Sequence, residues 1–202
     1  MPLKCFRIIV VTCVLSLLAF GGCARSKPAR FYILTSVVGV PAGNLPAPGE
    51  NGLSIAIGPI EFPEYLNRPQ IVTRTSPNQI NLAEFDRWAE PLRVRFPRVL
   101  AENLAALLQT QRVTVTPWEG TRPIDLRVSV DVVRFDGTPG GDVSLITRWT
   151  LLGTGGNELV APRAFRSNVS TQQEGYEGVA AAMSESMGKF SREIAKVIRD
   201  RK

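Results

Sequence analysis

Apolar and polar residues alternate over three stretches in the second half of the chain, and this period of two predicts β-strands. The alternation runs through residues 126–132, returns at 143–151, and continues through Phe165, Ser167 and Val169. Turns rich in glycine separate these stretches at 136–141 and 153–157. Short turns between neighbouring strands are typical of antiparallel pairing, so the pattern predicts a three-stranded meander.

The first half of the chain holds shorter apolar runs, separated by Gly, Pro and Asn. They predict strands at 31–34, 53–62 with an interruption at Gly58-Pro59, 70–75, 79–82 and 113–115. The strands at 70–75 and 79–82 form a predicted hairpin around Ser76-Pro77-Asn78. The segment 39–52 (GVPAGNLPAPGENG) is predicted to be a surface loop.

Two segments change to the three- and four-residue spacing of amphipathic helices. The first lies between Trp88 and Gln111 and contains Pro97, which lacks a backbone N–H. We therefore expect a loose turn from Trp88 and a regular helix only from Pro97 to about Thr110. The second is a long helix from Tyr176 to Ile198. The resulting fold class is α+β, in which two main helices pack on one face of a largely antiparallel or mixed sheet.

The amino terminus has the pattern of an export signal. Lys4 and Arg7 precede an apolar run at 8–20, whose length suits a signal peptide better than a membrane span. Phe20-Gly21-Gly22-Cys23 then resembles a lipobox, in which small residues precede the cysteine that is cleaved and acylated. We expect residues 1–22 to be a signal peptide and Cys23 to be lipidated. The alternative is ordinary secretion with a free thiol at Cys23.

Residues 23–30 are predicted to be a lipidated tether, and 31–202 a single domain long enough for a core of its own. Ala24 is not the aspartate of an inner-membrane retention signal, so we expect the outer membrane, with the domain facing the periplasm. Arg25, Lys27 and Arg30 could meet lipid head groups or simply be solvated.

The side-chain inventory argues against catalysis. The chain has no histidine, so Ser-His-Asp and Cys-His arrangements cannot be built. We predict no catalytic, cofactor or metal residues. Two pairs of acidic residues are conceivable as catalytic carboxylates, but we interpret them as solvated surface. They are Glu61 with Glu64 and Glu84 with Asp86. Gly153-Thr154-Gly155-Gly156 lies between strands and lacks a nearby lysine, which indicates a hairpin turn instead of a phosphate loop.

The charge pattern does not indicate a nucleic-acid partner. The 24 Lys and Arg only modestly exceed the 18 Asp and Glu, and they are spread evenly. A local cluster of Arg87, Arg93, Arg95 and Arg98 surrounds Trp88. It suits an acidic partner or a lipid head group, and the alternative is a solvated helix flank with one buried tryptophan.

Several short motifs, in order along the mature chain, carry a family resemblance. They are Phe31-Tyr32-Ile33-Leu34, Ile57-Gly58-Pro59-Ile60, Pro63-Glu64-Tyr65-Leu66, Arg68-Pro69-Gln70-Ile71-Val72, Trp88-Ala89-Glu90-Pro91-Leu92, Val99-Leu100-Ala101-Glu102-Asn103-Leu104, Arg134-Phe135-Asp136, Trp149 and Gly175-Tyr176. Together they resemble the auxiliary lipoproteins of ABC-type transport systems, the family that includes the paraquat-inducible protein C subunit of MCE-type (mammalian-cell-entry type) lipid transport systems. Phe31, where a second tyrosine is commoner, and Pro97 depart from the pattern.

The resemblance implies a non-enzymatic lipoprotein that works beside an MCE-domain protein and an ABC permease and ATPase. Such systems move phospholipid or other hydrophobic molecules between membranes, and this subunit would dock or anchor the periplasmic conduit. A homo-oligomeric ring that matches the symmetry of an MCE ring is one form of this hypothesis.

Four residues are candidates for partner contact, namely Tyr65, Arg74, Trp88 and Leu92. The alternative for Trp88 and Leu92 is that both are core residues. A different function is a lipid-binding carrier or chaperone, which needs an apolar pocket near Trp88, Trp118 or Trp149. A periplasmic hydrolase is a third hypothesis.

Overall fold

The computed structural model describes residues 27–39, 52–117 and 123–201. Its strands are β1 (Arg30–Tyr32), β2 (Ile55–Glu61), β3 (Gln70–Ser76), β4 (Gln79–Trp88), β5 (Val113–Val115), β6 (Leu126–Gly137), β7 (Asp142–Gly153) and β8 (Glu158–Ser170). Its helices are α1 (Leu92–Leu108) and α2 (Gly175–Arg199), with a short 3-10 turn at Glu64–Leu66. The predicted signal peptide, Cys23, Trp118 and most of the loop at 39–52 lie outside the described residues.

The eight strands form one mixed sheet with β6 near its middle. On one side β6, β7 and β8 pair antiparallel in sequence order, which confirms the predicted meander. On the other side the first half of β6 pairs with β2, and its last residue pairs with β3, both in parallel. β5 pairs with β2, while β4 pairs with β3 and β1 pairs with β4. The sheet is therefore mixed, as the fold class allowed.

Both helices pack on the same face of the sheet, because each turns one apolar stripe inward. Phe190 of α2 stacks near Trp149 of β7 and Phe165 of β8, with ring centroids 6.5 and 5.0 Å apart. Phe96 of α1 lies 5.7 Å from Phe135 of β6 in an edge-to-face arrangement. These rings join both helices to the meander, and the predicted α+β architecture is confirmed.

The start of α1 is a correction to the sequence prediction. The helix begins at Leu92 and not at Pro97, which lies inside it and is buried. The amides of Val94 and Arg95 donate to the carbonyl oxygen of Pro91, so the first turn is already closed before Pro97. The apolar contacts of Leu92 and Phe96 hold this turn on the core, which outweighs the hydrogen bond that a proline at position 97 removes.

Strand boundaries differ from the prediction in several places. β2 spans Ile55–Glu61 instead of 53–62, and its register with β6 shifts between Ile57 and Ile60. β4 extends to Trp88, so this residue is in a strand and not in a loose turn. The predicted turn at 136–141 begins two residues later, because Asp136 and Gly137 still pair with β7. β1 spans Arg30–Tyr32 instead of 31–34, and it pairs in parallel with the distant β4. Such pairing leaves no local sequence signal.

After β1 the chain stays extended and crosses the two helices. Its side chains alternate, so that Leu34 is fully buried while Ile33 is 47% exposed. Arg95 of α1 donates from Nε to the carbonyl of Leu34 at 2.8 Å, and the amide of Thr35 donates to Oγ of Ser184 in α2. The segment that follows the predicted tether is therefore fixed to both helices.

Candidate functional site

Three polar side chains, those of Tyr65, Arg74 and Arg134, converge on the carboxylate of Asp136. Tyr65 lies in the 3-10 turn between β2 and β3, Arg74 in β3, and Arg134 and Asp136 in β6. A spacing of two along a strand places Arg134 and Asp136 on the same side of the sheet. We call these four residues the Asp136 cluster.

Each carboxylate oxygen of Asp136 accepts several hydrogen bonds. Oδ2 accepts from the Tyr65 hydroxyl at 2.9 Å and from Nη2 of Arg74 at 2.9 Å. Oδ1 accepts from Nε of Arg134 at 2.8 Å, and Nε of Arg74 lies 3.2 Å from Oδ1 and 3.3 Å from Oδ2. The Asp136 side chain is fully buried, whereas that of Arg74 is 21% and that of Arg134 is 34% exposed. The arginines therefore form the outer surface of the cluster.

The cluster lies on the face of the sheet opposite the helices. Directly opposed residues in an antiparallel pair point to the same side. Arg134 is opposite Ile146, and Asp136 is opposite Ser144, whereas the core residue Phe135 is opposite the buried Leu145. The face that the helices leave uncovered thus carries the two guanidinium groups.

The charges around Asp136 determine its ionisation and that of Tyr65. Burial alone would raise the pKa of Asp136, but hydrogen bonds from Arg74, Arg134 and Tyr65 outweigh it and hold this pKa below its ordinary value. Burial, with the adjacent negative charge of Asp136, raises the pKa of Tyr65 to about 12. Asp136 is ionised and Tyr65 is neutral at neutral pH.

This ionisation pattern is unsuited to acid–base catalysis. A general acid or base works best with a pKa near the operating pH, and the shifts at Asp136 and Tyr65 go away from neutrality. The carboxylate oxygens are also occupied by donors from the protein. The cluster is therefore suited to holding the fold together and to presenting two fixed guanidinium groups.

The structure brings together two of the four predicted contact residues and separates the others. Tyr65 and Arg74 both belong to the Asp136 cluster, and the Arg74 guanidinium lies 5.8 Å from the centroid of the Tyr65 ring. Trp88 and Leu92 are only 4% and 2% exposed and belong to the core. The alternative interpretation of these two as core residues is the one that the structure supports.

Sequence reasoning did not assign Arg134 and Asp136 to the site. Asp136 was interpreted as the start of a glycine-rich turn, and Arg134 appeared only within a family motif. The one available signal was their spacing: an arginine and an aspartate two residues apart in a strand lie on one side, where they can pair.

Most of the predicted arginine cluster near Trp88 is engaged with the protein itself. Arg95 forms a salt bridge with Glu102 at 2.9 Å in addition to its bond to Leu34, and Arg98 pairs with Glu90. Asp86, which belongs to one of the two acidic pairs, is also bonded within the protein. It accepts from the Tyr32 hydroxyl at 2.8 Å and pairs with Arg30 at 2.8 Å.

A lipid carrier would need an apolar pocket near the tryptophans. Among the described residues, no space is open beside Trp88 and Trp149, because both side chains are packed in the core and are 4% and 1% exposed. A cavity of about 530 Å³ lies instead where the two helices end. It is lined by Gly52, Leu53, Leu107, Leu108, Gln109, Thr110, Ile198 and Arg199.

Within residues 27–39, 52–117 and 123–201, no helix combines the length and the apolar character that crossing a bilayer requires. In the same part of the chain no three His, Cys, Asp or Glu side chains are grouped as ligands for a metal ion.

Solved structures of other proteins share this fold. A crystal structure of an uncharacterized protein superposes with a TM-score of 0.68 and 22% identity, covering 85% of this chain and 99% of the other. Protein XCC0632 from Xanthomonas campestris gives a TM-score of 0.65 and 17% identity, covering 83% and 93%. At these identities the likeness establishes the fold alone.

Sequence relatives include the intermembrane transport lipoprotein PqiC of Escherichia coli strain K12 and that of Shigella flexneri. Each is 24% identical over 180 residues, which is 89% of this chain and 90% of the relative. The family model described as "ABC-type transport auxiliary lipoprotein component" matches residues 34–195, nearly the whole described fold. This match confirms the resemblance noted from the sequence motifs. The chain belongs to the family of ABC-type transport auxiliary lipoproteins.

Proposed function

We propose that the chain is a non-enzymatic outer-membrane lipoprotein that docks or anchors the periplasmic conduit of an MCE-type ABC system for intermembrane lipid transport. The observation that carries the proposal is the family match over residues 34–195, together with relatives named for intermembrane transport. The ionisation pattern of the Asp136 cluster supports a role in recognition over a role in catalysis.

The proposed anchor is an acylated Cys23. Lipoproteins of this kind carry several acyl chains, and more than one chain is what stable membrane attachment needs. The tether would then lead to Arg30, where the described fold begins with β1. Because β1 and the extended segment after it are bonded to β4 and both helices, a force on the anchor would reach the whole domain.

The proposed docking surface is the outer side of the Asp136 cluster, which contains the predicted contact residues Tyr65 and Arg74. Within the described chain Arg134 bonds to Asp136 only through Nε, so its terminal nitrogens can donate to a partner. Arg166 of β8 lies in the same cross-strand row, since Ile146 is opposite both Arg134 and Arg166. The row suits an acidic surface on an MCE-domain protein or an associated subunit.

Co-purification tests this function. The acylated protein is isolated from envelope extracts with a mild detergent, and its partners are identified by mass spectrometry. We expect an MCE-domain protein, alone or with its permease and ATPase. Arg166→Glu should reduce the recovery several-fold, whereas Arg192→Glu, an exposed arginine on the helical side, should not. Recovery of no transport component with the unaltered protein would show that the docking role is wrong.

A second candidate function is lipid carriage, which the cavity at the ends of the helices favours. Its volume of about 530 Å³ suits a small amphiphile or one acyl chain, and leucine and isoleucine side chains contribute to its wall. Native mass spectrometry of gently extracted protein distinguishes the two functions. A further, non-covalent lipid adduct that Leu107→Trp removes supports carriage, and the mass of the acylated protein alone opposes it.

A further inference from the structure

The tip of the β3–β4 hairpin, defined here as residues 75–82, differs from the rest of the surface. All eight residues are exposed and none carries a charge, although 21% of the chain is charged. Two of them are large and apolar, with Ile80 38% and Leu82 39% exposed. These two point to the same side because they are two apart in β4. An uncharged tip with exposed aliphatic side chains suits an interface less polar than water.

The direction in which the chain enters the fold places this tip near the proposed anchor. β1 pairs with β4 in parallel, with Arg30 beside Asp86 and Tyr32 beside Trp88. A parallel neighbour runs the same way, so the chain reaches Arg30 from the side on which β4 begins. That side is the hairpin tip.

The length of the tether agrees with this direction. Cys23 is seven residues before Arg30, and Gln79 is seven residues before Asp86. At roughly 3.3 Å per extended residue, both segments span at most about 23 Å. A fully extended tether therefore brings Cys23 level with Gln79 and no further. A less extended tether holds the bilayer closer to Arg30, and the domain must then tilt until the hairpin meets the lipid.

We propose that the hairpin tip contacts the phospholipid bilayer and inserts Ile80 and Leu82 at its interface. This inference rests on the proposed acylation of Cys23 and adds an orientation to it. The last residue of β6 pairs with β3 near the hairpin tip, and its first residue pairs with the last residue of β7. The turn at 153–157, which follows β7, therefore lies at the end of the sheet opposite the hairpin tip. That end points away from the membrane. The Asp136 cluster adjoins the hairpin tip, since Arg74 is opposite Ile80 and donates to the carbonyl of Pro77.

Fluorescent labels at the two ends of the sheet test the orientation. Asn78→Cys and Thr154→Cys are labelled with nitrobenzoxadiazole in the full acylated protein, whose own cysteine is blocked by the lipid. The protein is reconstituted in vesicles of phosphatidylethanolamine and phosphatidylglycerol. We expect a blue-shifted emission at position 78 that spin-labelled lipids quench several-fold more strongly than the emission at position 154. Equal, water-like emission from both positions would overturn the proposal.

Two variants separate insertion from mere proximity. Ile80→Ser with Leu82→Ser should abolish the blue shift at position 78, while Val133→Ser, which alters a residue 41% exposed on β6, should leave it. Both proteins should float with the vesicles, because the acyl chains alone attach them. A blue shift that survives the double substitution contradicts insertion. Protein that does not float at all contradicts the acyl anchor itself, and so the proposed function.

Discussion

Arg74 and Asp136 are 62 residues apart in sequence and form an ion pair around a buried carboxylate. Nη2 of Arg74 donates to Oδ2 of Asp136 at 2.9 Å, and the carboxylate is completely buried. Its second oxygen accepts from Arg134, and the Tyr65 hydroxyl completes the set. The pair links β3 to the end of β6, next to the residues Thr73 and Gly137 at which these two strands pair, and Tyr65 adds the 3-10 turn.

Removing the charge of Asp136 should destabilise the fold strongly. Asp136→Asn leaves two guanidinium groups without their carboxylate, and breaking a buried pair in this way costs about 3 kcal/mol. Urea denaturation monitored by circular dichroism measures the change. Asp131→Asn is the matched control, since Asp131 is 45% exposed and 3.8 Å from Arg148. A surface pair of that kind contributes about 0.5 kcal/mol. Similar losses in both variants would contradict the structural role of the cluster.

The same pair predicts how stability depends on acid pH. The pKa of Asp136 is lower in the folded chain than in the unfolded chain, where it is about 3.9. The ionised carboxylate therefore stabilises the fold above that pH, and the contribution is lost as the pH falls through it toward the folded pKa. The free energy of unfolding should fall more steeply over this window in the wild type than in Asp136→Asn. Parallel curves for the two proteins would be the contrary result.

The raised pKa of Tyr65 predicts that stability is lost at alkaline pH. Its pKa rises from 10.0 to about 12 on folding, so the neutral phenol stabilises the fold below pH 10. This contribution is lost as the pH rises from there toward 12. Tyr65→Phe should be less stable than the wild type at neutral pH, and the difference should narrow in alkali. Unfolding free energies on both sides of pH 10 provide the measurement, and a difference that does not change with pH would oppose this account.

A close contact between Gly188 and Val37 predicts a coupled pair of substitutions. A Cβ at position 188 would lie 2.4 Å from Cγ2 of Val37, which is nearer than atoms tolerate. Gly188→Ala should therefore loosen the extended segment and cost about 1–3 kcal/mol. The Thr35 amide, which donates to Ser184, should exchange its hydrogen faster. Adding Val37→Ala should restore most of the lost stability and most of the protection of the Thr35 amide. Effects of the two substitutions that simply add would count against the contact.

The sequence patterns predicted those parts of the fold that local interactions specify. The meander and α2 follow from periodicity, because each buries one face over many residues. The parallel pairing of Arg30 with Asp86 and the start of α1 were missed, since they depend on contacts between distant segments. Pro97 shows the physical reason most clearly: a helix-breaking residue is tolerated when the turn before it is held by Leu92 and Phe96 in the core.

The candidate site could be predicted only in part. Tyr65 and Arg74 were selected because they lie in an irregular stretch that is rich in family motifs, and the structure brings them to one carboxylate. Asp136 was not predicted, because it begins a glycine-rich segment that indicates a turn. A single sequence does not show which distant arginine will pair with a buried acid. Trp88 and Leu92 were the ambiguous pair, because a large apolar residue beside a motif suits an interface and a core equally well.

A lipid attached to Cys23 is central to the proposed function, and metabolic labelling tests this attachment directly. Cells that produce the wild type or Cys23→Ala are fed an alkyne analogue of palmitate, and the envelope is separated into inner and outer membranes. We expect label on the wild type in the outer-membrane fraction, and an unlabelled Cys23→Ala protein that is absent from that fraction. An unlabelled wild type whose membrane association is unchanged by Cys23→Ala would contradict the account.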